Sequence, residues 1–202
     1  MKMRLVSAIV AAAIGLSVAN AAKAKTVDIN FDDLTTGTEV GAAYSALGVT
    51  FSNALVYTPT INSSKIGMTL PNAIYSVNMG GKPQQIDPIS ASFSVAATSV
   101  TLRGIDIGAG GFIFKAFDAA GTMIDTVSYV GTGTGPGVFR DLTVTGEAIA
   151  RVDFSQVNLA GADGIWFDNF SFDYTPVPLP AGAVLLIGGL GALAGFRKRE
   201  AD

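Results

Sequence analysis

The stretch Ile165-Trp166-Phe167-Asp168-Asn169-Phe170-Ser171-Phe172-Asp173-Tyr174 decides how this chain of 202 residues is read. It is rich in aromatics, interrupted by single polar residues, and preceded by the turn-forming run Asn158 to Gly164, so it reads as a β-strand. On a period of two, Trp166, Asp168, Phe170, Phe172 and Tyr174 share one face. A carboxylate among four aromatics is costly to bury unless it is paired or bound to a cation. That makes Asp168 the first residue to follow into the structure.

Working outward, residues 26 to 174 carry many short alternating runs and no convincing amphipathic helix. Strands are expected at Thr26 to Phe31, Val49 to Ser52, Leu55 to Thr58, Ile89 to Val95, Ser99 to Arg103, Phe112 to Phe117, Met123 to Val130, Val138 to Val144 and Ile149 to Phe154, with Ile165 to Tyr174 as the last. Asp118-Ala119-Ala120-Gly121 reads as a hairpin turn, and Gly131 to Gly137 as a flexible loop. About ten short strands with turns every 8 to 12 residues indicate an all-β, antiparallel β-sandwich of the jelly-roll kind. Val100 and Leu102, Leu142 and Val144, and Val152 and Phe154 supply one-faced pairs for its core. The segment Pro59 to Pro88 reads as an irregular excursion, and no internal repeat is apparent.

Composition removes whole classes of chemistry. The chain has no Cys and no His, so disulfides, thiolate metal sites and Ser-His-Asp or Cys-His catalysis are excluded. Residues 25–180 carry 7 Lys/Arg against 14 Asp/Glu, a net charge of −7. An acidic body of that sign argues against nucleic-acid binding, which rests on neutralising phosphates, and is compatible with divalent cations.

The two ends read as targeting segments. Lys2 and Arg4 precede an apolar run from Leu5 to Val18, followed by Ala19-Asn20-Ala21 and Ala22-Lys23-Ala24 as A-x-A-like cleavage sites, so residues 1–24 read as a secretory signal peptide. Residues 176–202 hold Val177-Pro178-Leu179-Pro180-Ala181, then an apolar, Gly-rich stretch to Phe196, then Arg197-Lys198-Arg199. As a helix that stretch is about 24 Å long, short of a hydrocarbon core of about 30 Å. The basic cluster would stay cytoplasmic, which leaves the body, residues 25–175, on the far side of the membrane, in agreement with the signal peptide.

The tripartite end closely resembles the VPLPA-CTERM sorting signal, a variant of the PEP-CTERM class. The resemblance implies a Gram-negative source, recognition in the inner membrane by an exosortase-type transpeptidase, removal of the tail, and delivery to the cell surface or extracellular matrix. A permanent single-pass anchor is the alternative. The body resembles the jelly-roll, carbohydrate-binding-like modules that often precede such tails, through Ile29-Asn30-Phe31-Asp32-Asp33-Leu34, Gly48-Val49-Thr50-Phe51, Phe117-Asp118-Ala119-Ala120-Gly121 and the Asp163 to Phe172 run.

In the first strand Asp28, Asn30 and Asp32 point one way and Val27, Ile29 and Phe31 the other. Because chain ends lie close together in jelly rolls, Asp28, Asp32 or Asp33 could meet Asp168 or Asp173, and a Ca²⁺ ion taking 6 to 8 oxygens would relieve their repulsion. Similar modules often have such a structural site. The alternative is that Asp28 and Asp32 are solvated while Asp168 accepts hydrogen bonds from a neighbouring loop backbone. Paired carboxylates also invite a glycosidase reading, with Asp163, Asp168 and Asp153 as candidates. Sugar binding would need exposed aromatics, for which Tyr57, Tyr75, Tyr129 and Trp166 qualify; Tyr129, beside the Gly-rich loop, is the better candidate, and Trp166 reads as core. The functional expectation is a non-enzymatic surface or matrix protein associated with exopolysaccharide in a biofilm. The alternatives are a secreted glycan hydrolase and a purely structural or adhesive module.

Overall fold

The structure, a computed structural model, describes residues 23–60, 62–76, 87–131, 135, 137–157 and 164–176. The expected signal peptide up to Ala22, the Val177 to Ala181 motif, the apolar stretch and Arg197 to Arg199 lie outside the described residues. Lys23–Pro176 forms one compact unit. Among the described residues no helix is long and apolar enough to cross a membrane.

Among the described residues this unit holds nine strands: β1 (Lys25–Ile29), β2 (Val49–Ser52), β3 (Ala54–Tyr57), β4 (Ala73–Ser76), β5 (Ile89–Ile105), β6 (Phe112–Phe117), β7 (Met123–Tyr129), β8 (Phe139–Ser155) and β9 (Trp166–Tyr174). All pairings are antiparallel. The all-β sandwich is thus as expected, with a construction of its own. β5 and β8 are both 17 residues long and pair with each other along most of their length. One half of this central ribbon carries β2 beside β5 and β6 beside β8, with β7 outside β6. The other half carries β9 beside β5, then β1 and β4 on the far edge of β9, and β3 outside β4. Two layers therefore share two long strands.

The sequence suggested four strands where these two stand. Ile89 to Val95 and Ser99 to Arg103 merge into β5, and Val138 to Val144 and Ile149 to Phe154 merge into β8. Register shifts between Ser92 and Ala97 and between Ala97 and Ser99 replace the anticipated breaks. A bulge bends a strand without ending it, so one strand turns the corner from layer to layer where no Gly-Pro turn signal exists. β4 lies in the supposed irregular excursion and was missed. Only four residues long, it is held in place by its neighbours more than by its own pattern.

Phenylalanine rings join the layers. Phe51 of β2 meets Phe170 of β9 edge-on at 5.1 Å, and Phe154 of β8 meets Phe167 of β9 at 4.8 Å. Phe112 of β6 also reaches Phe167, at 5.2 Å. Such pairs contribute about 0.5–1.5 kcal/mol each beyond the area they bury. Val100, Leu102, Val144, Val152 and Phe154 are buried as anticipated, and Leu142 packs against the core half-buried.

Candidate functional site

The face of β9 inverts in mid-strand. Asn169 adopts φ 50°, and between Thr101 and Arg103 of β5 the register on β9 skips from Ser171 to Asp168. Leu102 of β5 thus stands opposite two residues of β9, Asn169 and Phe170, a bulge that resets the alternation. Phe167, Phe170 and Phe172 all face the core, whereas Trp166 and Asp168 lie on the outer side. The single aromatic face expected for Trp166, Asp168, Phe170, Phe172 and Tyr174 is therefore broken in two. A left-handed residue is tolerated here because Asn accepts that conformation more readily than most side chains.

The chain between β3 and β4 crosses the outer side of this layer and covers Asp168. Thr69 donates to Asp168 Oδ2 from its backbone N–H at 2.7 Å and from its hydroxyl at 2.8 Å, and the Asn169 N–H donates to Oδ1 at 2.7 Å. The carboxyl is fully buried, and burial pushes its pKa from 3.8 up to about 6 against the pull of these donors, with Asp32 adding to the rise. Asp168 thus follows the hydrogen-bonded alternative named from sequence, with a loop backbone as donor.

The other carboxylates of the supposed calcium set have separate surroundings. Asp32 Oδ1 accepts from the Asn72 N–H at 2.9 Å, Asp33 from the Tyr44 hydroxyl, and Asp173 from the Thr26 hydroxyl at 2.6 Å. Burial and the Asp33 contact hold the Tyr44 phenol above its ordinary range. Asp28 is exposed on β1. Among the described residues no three carboxylates gather closely enough to hold a metal ion.

What the outer side does form is an open cavity of about 490 Å³, bordered by Asp28, Asn30, Thr69, Thr101, Arg103 and Asp141, among others. β1, β5, β8 and β9 each contribute outward residues to it at fixed register. Arg103 is its anchor: Nε and Nη2 bind both oxygens of Asp141 at 2.6 and 2.8 Å, and Nη1 donates to the Gly67 carbonyl at 2.7 Å. The Asn169 amide orientation that suits every neighbour has its nitrogen donating to Thr69 and Asp168, and its oxygen accepting from Arg103 Nη1 at 3.3 Å. Such a fork-to-fork pair is geometrically rigid. A volume of this size lies within the range of small-ligand sites. A second depression, about 420 Å³, is walled mainly by Phe93, Ala119, Ala120, Ala148 and Ala150 and offers few polar groups.

At the start of β9, Trp166 stacks on Tyr57 at 4.6 Å with planes 8° apart, and Tyr75 meets both rings edge-on. Trp166 is half-buried, and its indole N–H is buried without a hydrogen-bond partner among the described residues. It belongs to an outer aromatic cluster and not to the core assigned from sequence. Tyr129 is half-buried at the end of β7, with the Arg140 guanidinium 4.8 Å over its ring. The glycosidase candidates do not converge. Asp153 accepts from the Ser90 hydroxyl and pairs with Arg151 in the β2–β5–β8–β6 layer, Asp168 lies under Thr69 in the other, and Asp163 is outside the described residues. Thr69, Asn72, Arg103 and Asp141 were missed from sequence, because each acquires its meaning from a partner roughly 38 to 99 residues away.

Fold and site together define a class, an antiparallel β-sandwich with a polar groove on one outer face. No family model and no curated protein matches the chain. Among solved structures it is similar to the K2 cleaved adhesin domain of Lys-gingipain, with a TM-score of 0.50 and 14% identity over 73% of this chain and 99% of that one. It is also similar to a family 35 carbohydrate binding module from Clostridium thermocellum, with a TM-score of 0.38 and 11% identity over 73% and 97%. At 14% identity the likeness to the adhesin domain extends to the fold.

Proposed function

We propose that this chain is an exported, non-catalytic surface protein whose sandwich binds extracellular polysaccharide through the Arg103 groove, and whose C-terminal tail is a VPLPA-type sorting signal handled by an exosortase-type enzyme. The groove carries the binding half of this reading. It is an open cavity walled by hydroxyl, amide, carboxylate and guanidinium groups mounted on strands, the chemistry that meets a surface of sugar hydroxyls. The solved structures named above are an adhesin domain and a carbohydrate binding module, and the shared sandwich supports the reading only as a scaffold able to carry such a groove. A hydrolase would need a free acid and base facing one space. In this groove both oxygens of Asp141 are taken by Arg103, and Asp168 is sealed beneath Thr69.

The sorting half rests on the Val177 to Ala181 motif, the short apolar stretch and the basic end. Probing the purified full chain on a glycan array tests the binding half. Binding is expected, and Asn30→Ala with Ser171→Ala should weaken it roughly tenfold without lowering the melting temperature, a loss equivalent to about 1.4 kcal/mol. Silence on every glycan would replace this reading with that of a structural module.

A further inference from the structure

From the charge state of the groove, and resting on the glycan-binding reading above, we infer that its ligand is an uncharged or amine-bearing glycan and that uronate-type acidic polymers are excluded. Among the described lining residues Arg103 is the cation, and it is already spent: three of its N–H groups go to Asp141 and Gly67, and a further contact reaches the Asn169 amide oxygen. Its charge is cancelled by Asp141 at 2.6 Å. A ligand carboxylate would have to displace a bidentate partner fixed on the neighbouring strand, which is a poor exchange for a rigid fork.

Asp28 is the opposite case. It projects from β1 into the same cavity, is exposed, and lies across from Ser171 of β9. An ionised carboxylate accepts hydrogen bonds and donates none, so it selects hydroxyl or ammonium donors on the ligand. With the Arg103–Asp141 pair neutral, Asp28 leaves the cavity wall with a net negative charge, on a body of the same sign. Placement against the unlike charge of an amine therefore favours binding, and placement against a like charge opposes it.

The test measures affinity of the purified full chain, at physiological salt, for three soluble polymers: a neutral β-glucan, a partly deacetylated polyhexosamine and a polyuronate. Binding to the first two and none to the polyuronate is expected. Asp28→Asn should lower the ratio of the amine-bearing polymer's affinity to the neutral polymer's about fivefold, the size of one partly solvated charge pair, whatever hydroxyl contact both polymers lose with the carboxylate. Glu147→Gln, an exposed carboxylate on β8 outside the groove, controls for general attraction between an acidic body and a polycation. Polyuronate bound as tightly as the neutral polymer, or an equal loss with Glu147→Gln and Asp28→Asn, overturns the charge selection while leaving glycan binding intact. Binding to none of the three overturns both.

Discussion

Asn169 and Asp168 show how much a single position can redirect. With φ at 50°, Asn169 places Asp168 and Trp166 on the outer side while Phe167, Phe170 and Phe172 all remain in the core. The buried Asp168 carboxyl, pushed up to about 6 from 3.8 chiefly by burial, then binds a proton more readily in the folded chain than in the unfolded one. Between pH 4 and 6 the folded state therefore holds more protons, so the Asp168 contribution to stability falls as pH rises through that window. Comparing urea melts of the parent and Asp168→Asn across pH 4 to 7 should show a parent slope steeper in this sense, by about 1–3 kcal/mol over the range. Equal slopes would mean that the carboxyl is ionised at its ordinary pKa.

Asn72 matters at the same scale for the loop that covers the site. It is buried, donates from its side chain to the Leu34 carbonyl at 2.8 Å and from its backbone to Asp32, and accepts from the Thr58 hydroxyl at 2.7 Å. Asn72→Ala strands the Thr58 hydroxyl and the Leu34 carbonyl and should cost about 2–3 kcal/mol in a denaturant melt.

Among the elements, β5 determines the architecture, because its two halves serve different layers. Gly104 lies in its second half, where a Cβ would come within 2.8 Å of the Phe112 ring and 3.1 Å of Ile165. A glycine inside a strand often marks such a close approach. Gly104→Ala should therefore overpack the β5–β6 side of the core and lower stability by about 1–3 kcal/mol, which thermal unfolding would register. An unchanged melting temperature would show that Phe112 has room to move. The strand positions of β2, β6 and β7 were readable from alternation, since each is bounded by turn residues. The continuity of β5 and β8 was not, because Val95 and Ala96 carry no local mark that separates a bulge from a break.

At the scale of the whole molecule, the proposed sorting tail makes a claim that mass alone can check. Intact mass spectrometry of the mature protein from its own source should show a species lacking Ala181 to Asp202 as well as the signal segment. A mass that retains the tail would mean a permanent anchor. The sequence by itself determined the all-β class, most strand positions and the exclusion of thiol and imidazole chemistry, because alternation, turn residues and composition are local properties. Only the tertiary structure decided where Asp168 lies, what covers it, and that Asp28, Arg103 and Asp141 border one groove. Those facts depend on a bulge that resets one strand's phase and on hydrogen bonds between residues far apart in the chain, and neither leaves a periodic trace along it.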